Sequence, residues 1–409
     1  MIRHQIYFDT LGSMREDSAS WRCVFAGLSV LRLVDSYADA TAAAKPAGWA
    51  QLHSVRAAIE EMSDGDAMRG VLTAVLEEVT KNGAIDDTVC GALLAYGRAL
   101  DYEASWSLAI DVYSTVAKFV KPERNARLAV EANVAIGGAA RRNGDWDTSA
   151  RAYSQAAYIA DTLGDRPGVL TVQVGIANTY LAKGNLPQAQ TILDDVIVQA
   201  RDQHFRSVHS IALHSRAAIA QRQGEPAEGL KLLNDALNLT TKPAERDQVL
   251  EDIGGMFTEL GMYESARDAH LILASTAQAK VVRWTATLNL MELASLERME
   301  KPFDAYAEEL RTAPVGPWIK SHYLLFLGEG LIRFGRIDTA TDVLAEAVSF
   351  ADANQFHQVS FKAQQALVES RSKPSVRTTF VAPPARSTGE IGPVVQAISD
   401  LRKSAVAAT

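Results

Sequence analysis

Between residues 85 and 370 the chain reads as apolar-rich helical stretches separated by short polar breaks that recur at a near-constant interval. Gly144-Asp-Trp-Asp-Thr-Ser149, Gly184-Asn-Leu-Pro-Gln-Ala189, Gly224-Glu-Pro-Ala-Glu-Gly229, Gly261-Met-Tyr-Glu-Ser-Ala266 and Gly335-Arg-Ile-Asp-Thr-Ala340 share a turn glycine followed five residues later by a small residue. The spacings are 40, 40, 37 and 74. Glu300-Lys-Pro-Phe-Asp-Ala305 fills the wide gap and Leu100-Asp-Tyr-Glu-Ala-Ser105 extends the series upstream. Seven turns at a period of about 39 residues lie inside the range of helical repeats. Seven positions before the turn the pattern wants a small residue: Gly137, Ala177, Ala217, Gly254 and Gly328, with Leu93 and Leu293 as exceptions. Nine positions after it come Tyr153, Leu193, Leu233, His270 and Leu344. Two antiparallel helices approach closely only where one side chain is small, and a bulky neighbour fills the groove beside it. The turn glycine supplies the left-handed residue that ends the first helix.

Flanking segments follow different patterns. Residues 1–20 look irregular, with Ile2, Ile6 and Phe8 able to form one short strand or an arm. Residues 21–84 carry helices over Trp21–Ala40, Trp49–Met62 and Ala67–Lys81, joined in part by the turn at 63–66, and read as a helical cap with a divergent first repeat. Gln355–Ser370 reads as a last single helix covering the end of the stack. Residues 371–392, with Pro374, Pro383 and Pro384 among Ser and Thr, read as a linker. Residues 393–409 hold a short amphipathic tail with Val394, Val395, Ile398 and Leu401 on one face, open to docking on its own body or on another molecule.

The small residue, the aromatic or leucine, the turn glycine and the following small–aromatic–small pattern resemble the tetratricopeptide repeat, most cleanly at Arg142-Asn-Gly-Asp-Trp-Asp and Glu259-Leu-Gly-Met-Tyr-Glu-Ser-Ala266. The standard unit is 34 residues. The extra length here resembles the extended bacterial variety of this repeat. The resemblance covers about residues 85–370 and implies an all-α fold: a right-handed α-solenoid of antiparallel helix pairs, continuous over that range. Such a fold serves many unrelated activities.

Composition narrows the chemistry. The 409 residues carry 41 Lys and Arg against 49 Asp and Glu, a formal charge of −8. The tail from 371 holds six bases and two acids, so the body is more acidic still. No basic excess marks a nucleic-acid binder. No apolar run is long enough for a membrane span, and the N-terminus lacks a signal-peptide pattern. A cytoplasmic location is the simplest expectation. Cys23 and Cys90 form no metal or redox motif and read as free thiols. Phosphate-binding glycine loops, a nucleophile elbow and a zinc-binding helix motif are absent from the sequence. No cofactor, metal or catalytic set is expected, and the chain is read as a non-enzyme.

One polar feature recurs. Arg98, Arg142, Arg222, Arg298 and Arg333 stand two residues before the inferred turns, and Arg141 adds a neighbour. In the family the first helices line the concave face, so the resemblance places these arginines at a groove that favours a carboxylate-rich or phosphorylated ligand. A cation in the last helical turn also offsets the macrodipole without any ligand, by about 0.3–1 kcal/mol. Both readings stand at this stage. The same offsets add Asn178 and His214, with Glu131, Val134, Gln221, Glu251, His322 and Glu329. Trp318 falls in an apparent inter-repeat loop. The leading expectation is a scaffold or adaptor that holds a peptide or partner protein, acidic in character. The alternatives are a ligand- or peptide-sensing regulator and a structural subunit of a larger assembly, including a homo-oligomer.

Overall fold

In the computed structural model, residues 3–16, 18–39, 49–63, 66–354, 356–372 and 390–407 are described. Among them every regular element is an α-helix. Expectations that rest on Ile2, Asp64, Gly65, Pro374, Pro383 and Pro384, and on most of the 371–392 segment, lie outside the described residues. The chain divides into two compact units, Met1–Ala200 and Arg201–Thr409.

Unit 1 begins with α1 (Gln5–Gly12), α2 (Ala19–Asp39), α3 (Trp49–Glu60) and α4 (Ala67–Asn82). It continues with α5 (Asp87–Tyr102), α6 (Trp106–Phe119), α7 (Ala126–Arg142), α8 (Trp146–Thr162), α9 (Arg166–Ala182) and α10 (Leu186–Asp202), whose last two residues belong to unit 2. Each helix from α5 to α8 packs on the next, and the first helices α5, α7 and α9 also pack on one another. The irregular arm expected over residues 1–20 is instead helix α1, packed on α2 and α6. Tyr7 explains it: this eight-residue helix buries the ring completely, and its hydroxyl donates to Tyr96 Oη at 3.1 Å. His4, in the left-handed region at φ 58°, is held by Asp111 at 2.6 Å. Neither anchor is visible in a local pattern of eight residues.

Unit 2 holds α11 (Arg206–Arg222), α12 (Pro226–Leu239), α13 (Pro243–Glu259), α14 (Tyr263–Thr276), α15 (Lys280–Leu296), α16 (Glu300–Thr312), α17 (Pro317–Arg333), α18 (Ile337–Ala353), α19 (His357–Ser372) and α20 (Gly392–Ala407). Consecutive helices pack from α11 to α19, and α13, α15, α17 and α19 pack first helix on first helix. Trp318 lies in the first turn of α17 rather than in a loop, because Pro317 opens that helix at its first position. The expected final single helix is α19, seated on α17 and α18. The amphipathic tail is α20, and it docks within its own unit, along α14 and against α12.

The backbone resets the phase of the repeat. Gly144, Gly184, Gly224, Gly261 and Gly335 have φ from 73° to 80°, as expected. The left-handed residues of the two degenerate copies are Ala104 and Arg298, not positions 100 and 300. With these, the turns fall 40 residues apart from Ala104 to Gly224 and 37 apart from Gly224 to Gly335. The change has a structural source. Helices α8 and α10 have 17 residues and lead into left-handed turns at Gly164 and His204, while α6, with 14 residues and extended Val120, keeps the 40-residue interval through a longer connection to α7. In unit 2, α12 and α14 have 14 residues and leave through extended Thr240 and Ala277, about one helical turn sooner.

The corrected phase sharpens the packing rule. Gly97 now occupies the small position of the first repeat, and a Cβ there would sit 2.2 Å from the Tyr113 ring. Tyr153 fills the space over Gly137 and also over Gly175 of the next first helix. His270 fills Gly254 and Leu344 fills Gly328. At the same offsets Met291 pairs with Ala307, both buried, so the large and small partners have changed places.

Candidate functional site

The first helices of each unit present a row of side chains six positions before the turn: Arg98, Gly138 and Asn178 in unit 1, and Ala218, Gly255, Glu292 and Glu329 in unit 2. One helical step from the packed small position, these residues stand beside the inter-helix seam and are exposed or half-buried in unit 1.

The five-arginine series does not survive as one equivalent row. Arg142, Arg222 and Arg333 do stand two residues before a left-handed turn. Arg98 lies six before its turn, in mid-helix, and Arg298 is itself the exposed turn residue at φ 59°. Both departures fall in the two copies whose left-handed residue is Ala104 or Arg298 in place of glycine.

Most of these groups are tied across neighbouring first helices. Arg98 of α5 donates to Glu131 of α7 at 3.2 Å. Arg142 of α7 lies 2.8 Å from Asp101 of α5, which also accepts the Tyr113 hydroxyl at 2.9 Å. His214 of α11 meets Asp252 of α13 at 2.5 Å, and Gln221 donates to Glu259 at 2.8 Å along the same pair. Arg333 of α17 donates to Ser295 of α15 at 2.9 Å. A ladder of this kind joins repeats and sets the electrostatics of the face. Asn178 is half-buried and Arg222 is exposed, and both make polar interactions.

Arg141 differs from the others. Its side chain is largely buried, and its Nε is buried with no hydrogen-bond partner among the described residues. Burial pulls its pKa down and Arg142 adds to that, while the Tyr153 hydroxyl and the Asp101 carboxylate oppose it. Three residues before it, Gly138 leaves room for one methyl group: a Cβ there would be in ordinary contact with the two terminal nitrogens of Arg142 at 3.7 and 3.8 Å and Tyr153 Oη at 3.9 Å. Across α5 and α7 the linked groups are Arg98, Arg141 and Arg142 against Asp101 and Glu131, an excess of one positive charge.

In unit 2 the acidic first helix is α13, with Glu245, Asp247, Glu251, Asp252 and Glu259 against Arg246. Burial, with Asp252 and Asp247 nearby, pushes Glu251 up to about 7. Burial and Glu329 raise Glu292, partly offset by Arg333. No group of three or more metal-ligating side chains occurs among the described residues, and none of the helices there is long and apolar enough to cross a membrane. Cys23 and Cys90 are free, and burial pushes Cys90 up to about 12, so it is an unreactive thiol at neutral pH.

Paired helices, left-handed turn residues and the small-against-bulky seam settle the architecture. This is an all-α protein of repeated antiparallel helix pairs. No protein-family model matches the sequence, and no characterised protein matches it by sequence. Solved structures of similar helical architecture include a Rap protein complexed with Competence and Sporulation Factor, at 11% identity, TM-score 0.42, over 85% of this chain and 98% of that one. NprR in complex with its cognate peptide NprX is similar at 13% identity, TM-score 0.46, over 88% and 92%. A Signal Transduction ATPase with Numerous Domains from Pyrococcus horikoshii, with a tetratricopeptide repeat sensor, is similar at 9% identity, TM-score 0.36, over 96% of this repeat chain and 55% of that one.

Proposed function

We propose that this repeat protein is a non-catalytic interaction module that receives an extended segment of a partner protein across the first helices of unit 1, with a carboxylate of that segment seated at Gly138. The buried Nε of Arg141, with no hydrogen-bond partner among the described residues, carries this reading. Arg141 has only Asp101 as a nearby acid, and Asp101 is already paired with Arg142, so an incoming carboxylate supplies what the cluster lacks. Spacing supports an extended ligand. Packed helices lie about 8–10 Å apart, and an extended chain rises about 3.3 Å per residue, so one residue in three would meet Arg98, the Gly138 gap and Asn178 in turn.

Calorimetric titration of the full chain with an end-capped pentapeptide, carrying Asp or Asn at its centre, tests the proposal. Saturable binding is expected with Asp, with at least about tenfold weaker binding for Asn, as one charge-assisted pair predicts. Arg141→Gln and Gly138→Leu should each abolish the preference for Asp, the second by filling the gap with no change of charge. Arg151→Gln, on the exposed side of α8, should leave it intact. Equal affinity for Asp and Asn, or a preference that survives both niche variants, would remove the proposal.

A further inference from the structure

The opposite side of the helix pairs in unit 2 holds a second surface. α20 lies along α14 and reaches α12, both of them second helices. Ile391, Val394 and Ile398 are its buried anchors, and Val395 and Leu401 are half-buried. Charge marks both ends of the seat. Glu390, ahead of the helix, lies 3.0 Å from Lys231 of α12. In the last turns Arg402 and Lys403 act on Asp268 of α14. The seat therefore accepts a helix in one orientation and one register, acid first and base last.

What holds α20 there is modest. Three aliphatic side chains form the buried contact, and the flanking ion pairs are exposed, a setting in which such pairs contribute little. Seventeen residues, 373–389, connect α19 to Glu390. A short tether keeps a segment near its seat at an effective concentration of about the millimolar range, so even weak intrinsic affinity keeps the seat filled. We infer that the α12–α14 groove is a helix-docking surface with α20 as its resident occupant, and that it fits an amphipathic helix of another protein. That helix carries an acid ahead of its first turn, aliphatic residues spaced as 391, 394 and 398, and bases spaced as 402 and 403 in its C-terminal half. This surface is separate from the Gly138 niche and does not depend on it.

A fluorescent peptide of residues 390–407 serves as the probe on the full chain. Ile398→Glu in the chain should release its own α20, and that variant should bind the probe at least about tenfold more tightly than the parent does, because the tethered competitor is gone. Lys231→Glu in the released chain should weaken the probe, and Glu390→Lys in the probe should restore it. Equal binding to parent and Ile398→Glu chains, or no rescue by the charge swap, would overturn the inference. Should Ile398→Glu unfold unit 2, a protease site placed within 373–389 opens the tether of the otherwise native chain. After cleavage the tail is expected to dissociate on dilution, and a tail that stays bound through gel filtration would equally overturn it. Dimers of the parent chain that exchange α20 would reassign the seat to a second copy.

Discussion

His270 fills the position that Tyr113 and Tyr153 fill elsewhere, and its imidazole occupies the space a Gly254 Cβ would need, 2.6 Å away. It is fully buried, its Nδ1 has no partner among the described residues, and burial lowers its pKa to about 4. The unfolded chain, with an ordinary histidine near 6.5, binds the proton first as pH falls. This residue therefore supports folding fully above about pH 6.5, and up to about 3 kcal/mol is lost as pH falls towards 4. His270→Leu, copying the Gly328–Leu344 pair, should remove that slope, as seen in urea melts of parent and variant across pH 4–7. The comparison must be a difference, because Glu103 and Glu251, each pushed up to about 7 by burial, act with opposite sign in that range. Arg298 offers a second test. A side chain at φ 59° costs about 1–2 kcal/mol against glycine. Arg298→Gly should therefore raise stability by about 1 kcal/mol, after the entropy of the unfolded glycine is allowed for. A loss of stability would mean that the arginine makes a compensating contact.

At the scale of helix pairs, the seam conserves volume rather than residue type. Glycine faces tyrosine, alanine stands with leucine in the Ala177–Leu193 and Ala217–Leu233 pairs, and methionine stands with alanine at Met291–Ala307. Met291→Ala alone should leave a cavity costing about 2–4 kcal/mol. Ala307→Leu alone should overpack by about 1–3 kcal/mol. The double variant, which rebuilds the alanine–leucine pairing, should recover most of both losses in chemical denaturation, and simple additivity would show that the two do not share a seam. This rule was legible in the sequence at five of seven repeats. It failed where the turn glycine was replaced by Ala104 or Arg298, because a left-handed backbone leaves no mark in the residue name when a neighbouring fold imposes it.

For the molecule as a whole, stability is distributed along neighbours. Tyr153 touches Gly137 and Gly175 and so joins two successive first helices. Tyr153→Ala should cost about 3–5 kcal/mol. In a stack where each repeat contacts only its neighbours, the added hydrogen exchange should concentrate in α7, α8 and α9 before it reaches α2 and α4. Uniform acceleration across unit 1 would instead mark it as a single cooperative block. Hydrophobic periodicity, turn glycines and the size alternation by themselves determined an all-α chain of repeated helix pairs with an amphipathic tail, since those signals are local and survive in any window of one repeat. Only the tertiary structure decided which cations have counter-ions, where α1 and α20 dock, and how the two imperfect turns are phased. Each of these depends on groups tens to more than a hundred residues apart, such as Arg98 with Glu131, Tyr7 with Tyr96 and Lys231 with Glu390. Charge and apolar surface come to rest where packing brings them together, and spacing along the chain does not encode that.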